Sequence, residues 1–140
     1  MERSPPFSHA ANGLFTAIAF SVGGYGFVTA WILAALRTGS RAGWMAPLAS
    51  LIAIVILRAT GKAPGPRRGG WAVLMTAGYL TVGEWLVAGL PIAMGMGQAP
   101  AEAARHIGAD FGWMLIRVGN SPGDWLWIAI SLALAALLGR

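Results

Sequence analysis

The sequence predicts an all-α, polytopic membrane protein: four transmembrane helices in two hairpins, with an interfacial amphipathic helix before the last span. Three observations predict this class. Of 140 residues, 56% are hydrophobic and only 11% are charged, against about 25% charged in a typical soluble domain. The charges are also clustered. No Asp, Glu, Lys or Arg falls between Pro5 and Leu36, from Ala42 to Leu57, or from Trp125 to Gly139, and Glu84 alone interrupts Gly69 to Ala101. Charge-free stretches of about 18 residues or more read as spanning helices. Finally, these stretches carry no polar face to cover a soluble core, which excludes a soluble globular protein.

A short N-terminal tail, 1–9, contains the non-helical lead-in Ser4-Pro5-Pro6. Met1-Glu2-Arg3 is a poor signal-peptide start, and the apolar stretch behind it is longer than a cleavable one, so it is expected to remain as the first span. That span runs over about 10–36 with Arg37 and Arg41 behind it. At ~1.5 Å per residue it exceeds a ~30 Å hydrocarbon core, which calls for tilt. Span two, about 43–57, is short, and Arg41 and Arg58 can snorkel at its ends. Pro47 lies in its first turns, where a missing N–H costs little. The two spans form the first hairpin, 10–57. A flexible loop, 58–70, then carries Arg58, Lys62, Arg67 and Arg68 among Gly and Pro.

The second hairpin occupies 71–140. Span three runs over about 71–94, and Pro91 should kink or end it, freeing the Val87 carbonyl. Over 100–117, apolar Ala103, Ala104, Ile107, Phe111, Met114 and Leu115 recur at helical spacing, while Glu102, His106 and Asp110 fall four apart on another side. That pattern predicts an interfacial helix, weakened by Gly108 and Gly112. Span four, about 122–139, opens on a capping box: Ser121 at the N-cap, Pro122 at N1, Asp124 at N3.

The basic loop sets the orientation. Placing 58–70 in the cytoplasm puts both termini there, with six bases inside and four (Arg37, Arg41, Arg105, Arg117) outside. Trp44, Trp71 and Trp125 then stand near the interfaces. The Arg-rich, Ala/Gly-rich composition suits a GC-rich bacterial genome, hence the inner membrane. The net charge of +5 lies at span ends, where it meets anionic headgroups, and no basic stripe with interleaved aromatics suggests nucleic acid. No cysteine is present, which removes disulfides, iron–sulfur clusters and thiolate zinc sites.

An internal repeat is suggested by six pairs at an offset of 54: Gly24/Gly78, Tyr25/Tyr79, Val28/Val82, Trp31/Trp85, Ala34/Ala88 and Leu36/Leu90. Spans two and four align more loosely at an offset of 81, through Trp44/Trp125, Ser50/Ser131, Leu51/Leu132 and Leu57/Leu138. The pattern describes either a parallel duplication of a hairpin or coincidence in an Ala/Gly/Leu/Trp alphabet. It sets Ala30 against Glu84.

Glu84 is the main candidate for chemistry, because an ionisable group inside a span is costly and usually functional. Burying a carboxyl group in apolar surroundings makes proton binding one role open to it. Three structural roles compete with it: a hydrogen bond to Tyr25 or Tyr79, one to the carbonyl freed by Pro91, and a pair with a basic residue of a partner subunit. Glu102, His106 and Asp110 are weak metal candidates; no metal signature accompanies them and a solvated face explains them better. Arg105 and Arg117 read as headgroup contacts. His9 reads as interfacial, and with neither histidine at mid-span, b-type haem has no ligands. Gly23-Gly24-Tyr25-Gly26 follows no strand and is not a nucleotide loop. Gly26, Ala30 and Ala34 form a small-residue face for close helix packing, within the chain or between copies.

No catalytic constellation, cofactor set or nucleophile–base pair emerges. The expectation is a non-enzymatic accessory or structural subunit of a membrane complex, partnered by the bilayer and by larger subunits or its own copies. The alternative is a small proton-coupled transporter or channel-like oligomer using Glu84.

Overall fold

The computed structural model describes residues 6–140, with side chains described from 11 onward apart from those of 100, 101 and 104. Every element among them is helical: α1 (Pro6–Thr38), a 3₁₀ turn (Gly43–Met45) leading into α2 (Ala46–Ala59), α3 (Pro66–Met96), α4 (Pro100–His106), α5 (Ala109–Gly119) and α6 (Pro122–Leu138). Most of the tail 1–9, including Ser4 and Pro5, and the side chain of His9 lie outside the described residues, although the helix already runs from Pro6.

Two helices are long and apolar enough to cross a membrane, Ala11–Thr38 within α1 and α3. A third crossing exists if α5 and α6, bent by 107° at the break between them, act as one broken span. The structure therefore supports two or three crossings, fewer than the four expected from the sequence. The 17 residues of Gly43–Ala59 and the 17 of α6 each rise only about 25 Å, short of a ~30 Å core.

α3 is the central helix and packs against all the others. Gly24 lies beneath Tyr79 and Gly83 beneath Trp31, so α1 and α3 run the same way. Gly43 meets Asp124 and Arg58 reaches Leu138, so α2 and α6 run together in the opposite sense. The α2–α6 seam is built of small residues with no exposure: Ala46, Ala49, Ser50 and Ala53 against Ser131 and Ala135. Ser131 Oγ donates across it to the Ala46 carbonyl at 2.7 Å. This is the close-packing device of membrane helices, but it lies away from the face expected. Gly26 and Ala30 are exposed, and a Cβ on Gly26 would meet open space. α1 instead turns Phe27, Val28 and Trp31 inward.

Three boundaries differ from the sequence reading. The loop 58–70 is only half loop: Pro66 starts α3 as an N1 proline does, so Arg67, Arg68, Gly69 and Gly70 are helical. Pro91 does not end α3, which continues to Met96. α4 and α5 pack on its later turns, with Ile107 against Gly89 and Trp85 against Gly112, and Ala93, beyond the proline, is buried. The segment 100–117 is two helices rather than one. Ile107 leaves the helical region (φ −83°, ψ 105°) to bury its side chain, and Gly108 caps the next helix.

Candidate functional site

The turn between α1 and α2 brings Arg41 into the bundle. Ala42 adopts a left-handed conformation at φ 51°, which costs a residue with a Cβ about 1 kcal/mol or more. Two hydrogen bonds hold it there: Met45 N–H donates to the Ala42 carbonyl at 2.9 Å, and the buried Trp31 Nε1 donates to the Arg41 carbonyl at 2.8 Å. The guanidinium is thereby directed toward α3 and the α5–α6 break instead of reaching outward.

Its partners come from α3 and from α5 with its C-cap. Arg41 Nη1 stands 3.6 Å from Glu84 Oε2 and donates to Asn120 Oδ1 at 3.0 Å, while Nη2 donates to the Leu115 carbonyl at 2.8 Å. Asn120 Nδ2 donates to Glu84 Oε2 at 3.1 Å, closing the triangle. Asn120 is also the C-cap of α5, its N–H on the Ile116 carbonyl at 3.1 Å. Arg41–Glu84 is the one ion pair among the described residues. Glu84 is 4% exposed, and its second oxygen, Oε1, has no hydrogen-bond partner.

Two glycines make the close approach possible. A Cβ on Gly119 would lie 1.8 Å from Arg41 Nη2, and one on Gly43 would lie 2.2 Å from Asp124 Oδ1. Asp124 completes the expected capping box: Ser121 Oγ accepts from Asp124 N–H, and Asp124 Oδ2 accepts from Ser121 N–H at 2.9 Å. The start of α6 is thus locked directly beside the polar cluster.

The other candidates fall elsewhere. Tyr79 Oη donates to the Phe20 carbonyl at 2.7 Å, and its ring stacks on Phe20 at 4.6 Å. Five residues separate it from Glu84, about 140° around a helix, so the two point to different faces. Tyr25 is 80% exposed and faces away from the bundle. Neither tyrosine serves Glu84, and the basic partner expected from another subunit is Arg41 of the same chain. Glu102, His106 and Asp110 are exposed on two separate helices, and among the described residues no three metal-ligating side chains group together. Ala34 is half-buried beside the core, whereas Gly26 and Ala30 are not part of it.

A cavity of about 830 Å³ opens beside the cluster, with Arg41, Ser40, Asp124, Trp44 and Trp127 in its wall. Glu84 does not line it. Arg41, which pairs with that carboxylate, is part of the cavity wall. Chemically, the arrangement compensates a buried charge and ties the α1–α2 turn, α3 and the α5–α6 break to one point. The sequence reading found Glu84 but missed Arg41, Asn120 and Gly119. A signal was present, since a lone buried carboxylate needs a cation and Arg37, Arg41 and Arg117 are the bases bordering spans on that side. Comparison with protein-family models, with curated proteins and with solved structures finds no match to this chain.

Proposed function

We propose that this chain is a four-span integral protein of a bacterial inner membrane, both termini cytoplasmic, acting as a non-enzymatic structural or accessory subunit of a membrane complex. One observation carries the reading: Glu84 is engaged inside the chain by Arg41 and Asn120, as a structural group is. A carboxylate poised for transport would be expected to line a pathway. The large exposed apolar side chains of α5 and α6, among them Phe111, Trp113, Met114 and Leu126, suit lipid or partner helices. The shorter α2 and α6 span with help from Arg58 at one end and the tryptophans Trp44 and Trp125 at the other.

The test is purification of the tagged chain from its native membrane in mild detergent. The expected result is larger membrane proteins at fixed stoichiometry, retained in Glu84→Gln. Recovery of the chain alone, as a monomer or homo-oligomer, would overturn this reading.

The unpartnered Oε1 of Glu84 favours a second reading, a small proton-coupled transporter in which Arg41 withdraws to admit a proton. Liposomes holding the purified chain would then show proton-driven flux that Glu84→Gln abolishes. Absence of flux from the wild-type protein removes that reading.

A further inference from the structure

The two ends of the bundle differ in charge as well as in packing. Glu84, Glu102, Asp110 and Asp124, all the described acidic residues, lie with the later turns of α3, α4, α5 and the start of α6. The opposite end, where α2 and α6 finish and α3 begins, carries Arg58, Lys62, Arg67, Arg68 and Arg140 and no described acidic side chain. Two of these five cations, Arg58 and Arg68, are already engaged. Arg58 Nη2 donates to the Leu138 carbonyl at 3.3 Å; Arg68 Nε donates to the Gly139 carbonyl at 2.8 Å and Nη1 to the Lys62 carbonyl at 3.3 Å. Lys62 is different. Its ammonium sits 4.7 Å from the centre of the Trp71 ring, a cation–π contact that orients the group and leaves its three N–H donors available.

Directly beneath Lys62 is a groove of about 700 Å³ between the first turns of α1, the end of α2 and the start of α3. Gly13 and Ala17 keep it open on the α1 side, where a Cβ on Gly13 would touch nothing within 4 Å. Phe20, Leu57 and Leu74 line it with hydrocarbon, Asn12 and Thr16 add polar groups on the α1 side, and Thr60 and Lys62 border it from the α2–α3 connection, its mouth. Its volume falls within the about 300–1,000 Å³ of small-ligand sites.

We propose that this groove is a binding site for an anionic phospholipid, with an acyl chain along Gly13, Ala17 and Phe20 and the phosphodiester on Lys62. Charge complementarity selects the ligand. The mouth offers a fixed cation within a wholly basic end, so an anionic headgroup is favoured and a zwitterionic one, whose ammonium would meet Lys62 and its neighbours, is not. The apolar depth of the groove selects a lipid over a free phosphate. This inference rests on the membrane reading alone and is independent of whether the chain has protein partners.

The test uses the full chain in a neutral detergent, titrated with dioleoyl phosphatidylglycerol or dioleoyl phosphatidylcholine and read by native mass spectrometry. The phosphatidylglycerol adduct should persist at about fivefold lower lipid concentration than the phosphatidylcholine adduct. Lys62→Gln should remove that advantage. Ala17→Phe and Gly13→Leu should weaken phosphatidylglycerol binding with every charge intact. Equal retention of the two lipids overturns the site. So does a loss in Lys62→Gln that neither groove-filling variant reproduces, because attraction would then be to the basic surface and not to the groove.

Discussion

Arg41 and Arg68 each serve the C-terminal end of a helix, yet their surroundings make them unequal. At one end of the bundle Arg41 donates to the Leu115 carbonyl near the end of α5, and at the other Arg68 donates to the Gly139 carbonyl after α6. Both follow the preference for cations near helix C-termini. Arg41, however, is also the counter-ion of a buried carboxylate and the donor to a buried amide, in a space that only a glycine at 119 leaves free. Arg68 faces carbonyls alone. One arginine belongs to a network whose members depend on one another, whereas the other supplements a helix end that water could serve. The worth of a charge in this bundle is set by what remains unpaired when it is removed.

The largest effect should therefore come from Arg41→Ala. It strands the Glu84 carboxylate and the Asn120 carbonyl together, and breaking one partner of a buried pair costs about 3–5 kcal/mol. Thermal unfolding in detergent, followed by circular dichroism, reads the loss. Replacing both charges, as Arg41→Met with Glu84→Met, should cost less than Arg41→Ala alone because no unpaired charge remains. If the double variant is the worse of the two, the ion pair contributes directly and the comparison of the two arginines needs another basis.

The same dependence explains what was legible in the sequence. The helices, the basic loop as a boundary and the Ser121–Asp124 cap are local features, each written within one or two turns of chain. Glu84 stood out because it interrupts an otherwise charge-free stretch. Its partners did not, because Arg41 is turned inward by the left-handed Ala42 and Asn120 is placed by the break after α5, and neither event has a local signature. Tyr25 and Tyr79 are polar residues of apolar helices, but Tyr25 is exposed and the helical phase puts Tyr79 on another face from Glu84. The small-residue face failed for a related reason. α1 carries small and apolar residues nearly all round, so the sequence leaves open which stripe is inside, and the fit of Trp31 over Gly83 and of Tyr79 over Gly24 settles it.

That choice of stripe yields the next prediction. A Cβ on Gly83 would lie 2.5 Å from the ring of Trp31, which also anchors the Arg41 carbonyl. Gly83→Ala should therefore cost about 1–3 kcal/mol by overpacking and should loosen the Arg41 end in particular. Gly26→Ala, in open space, should cost nothing or stabilise by up to about 1 kcal/mol through helix propensity. Paired melting curves check both. If Gly26→Ala proves as costly as Gly83→Ala, the Gly26 face is covered by something in the purified state, and a second copy of the chain becomes its occupant.

The smallest effect should come from Arg68→Ala. Removing its guanidinium loses charge-assisted hydrogen bonds to the carbonyls that follow α6 and to the Lys62 carbonyl, but those oxygens lie at an end of the bundle that water can reach. The cost should be about 1 kcal/mol, expressed as faster amide hydrogen exchange over 134–140 more than as a lower melting temperature. Arg68→Lys keeps the charge and discards the fork, so it should recover the part owed to the helix dipole and leave exchange near the Lys62 loop elevated. A loss in Arg68→Ala as large as that in Arg41→Ala would mean that the basic end is closed to water. Its arginines would then form a second buried network, and burial would no longer distinguish the two ends.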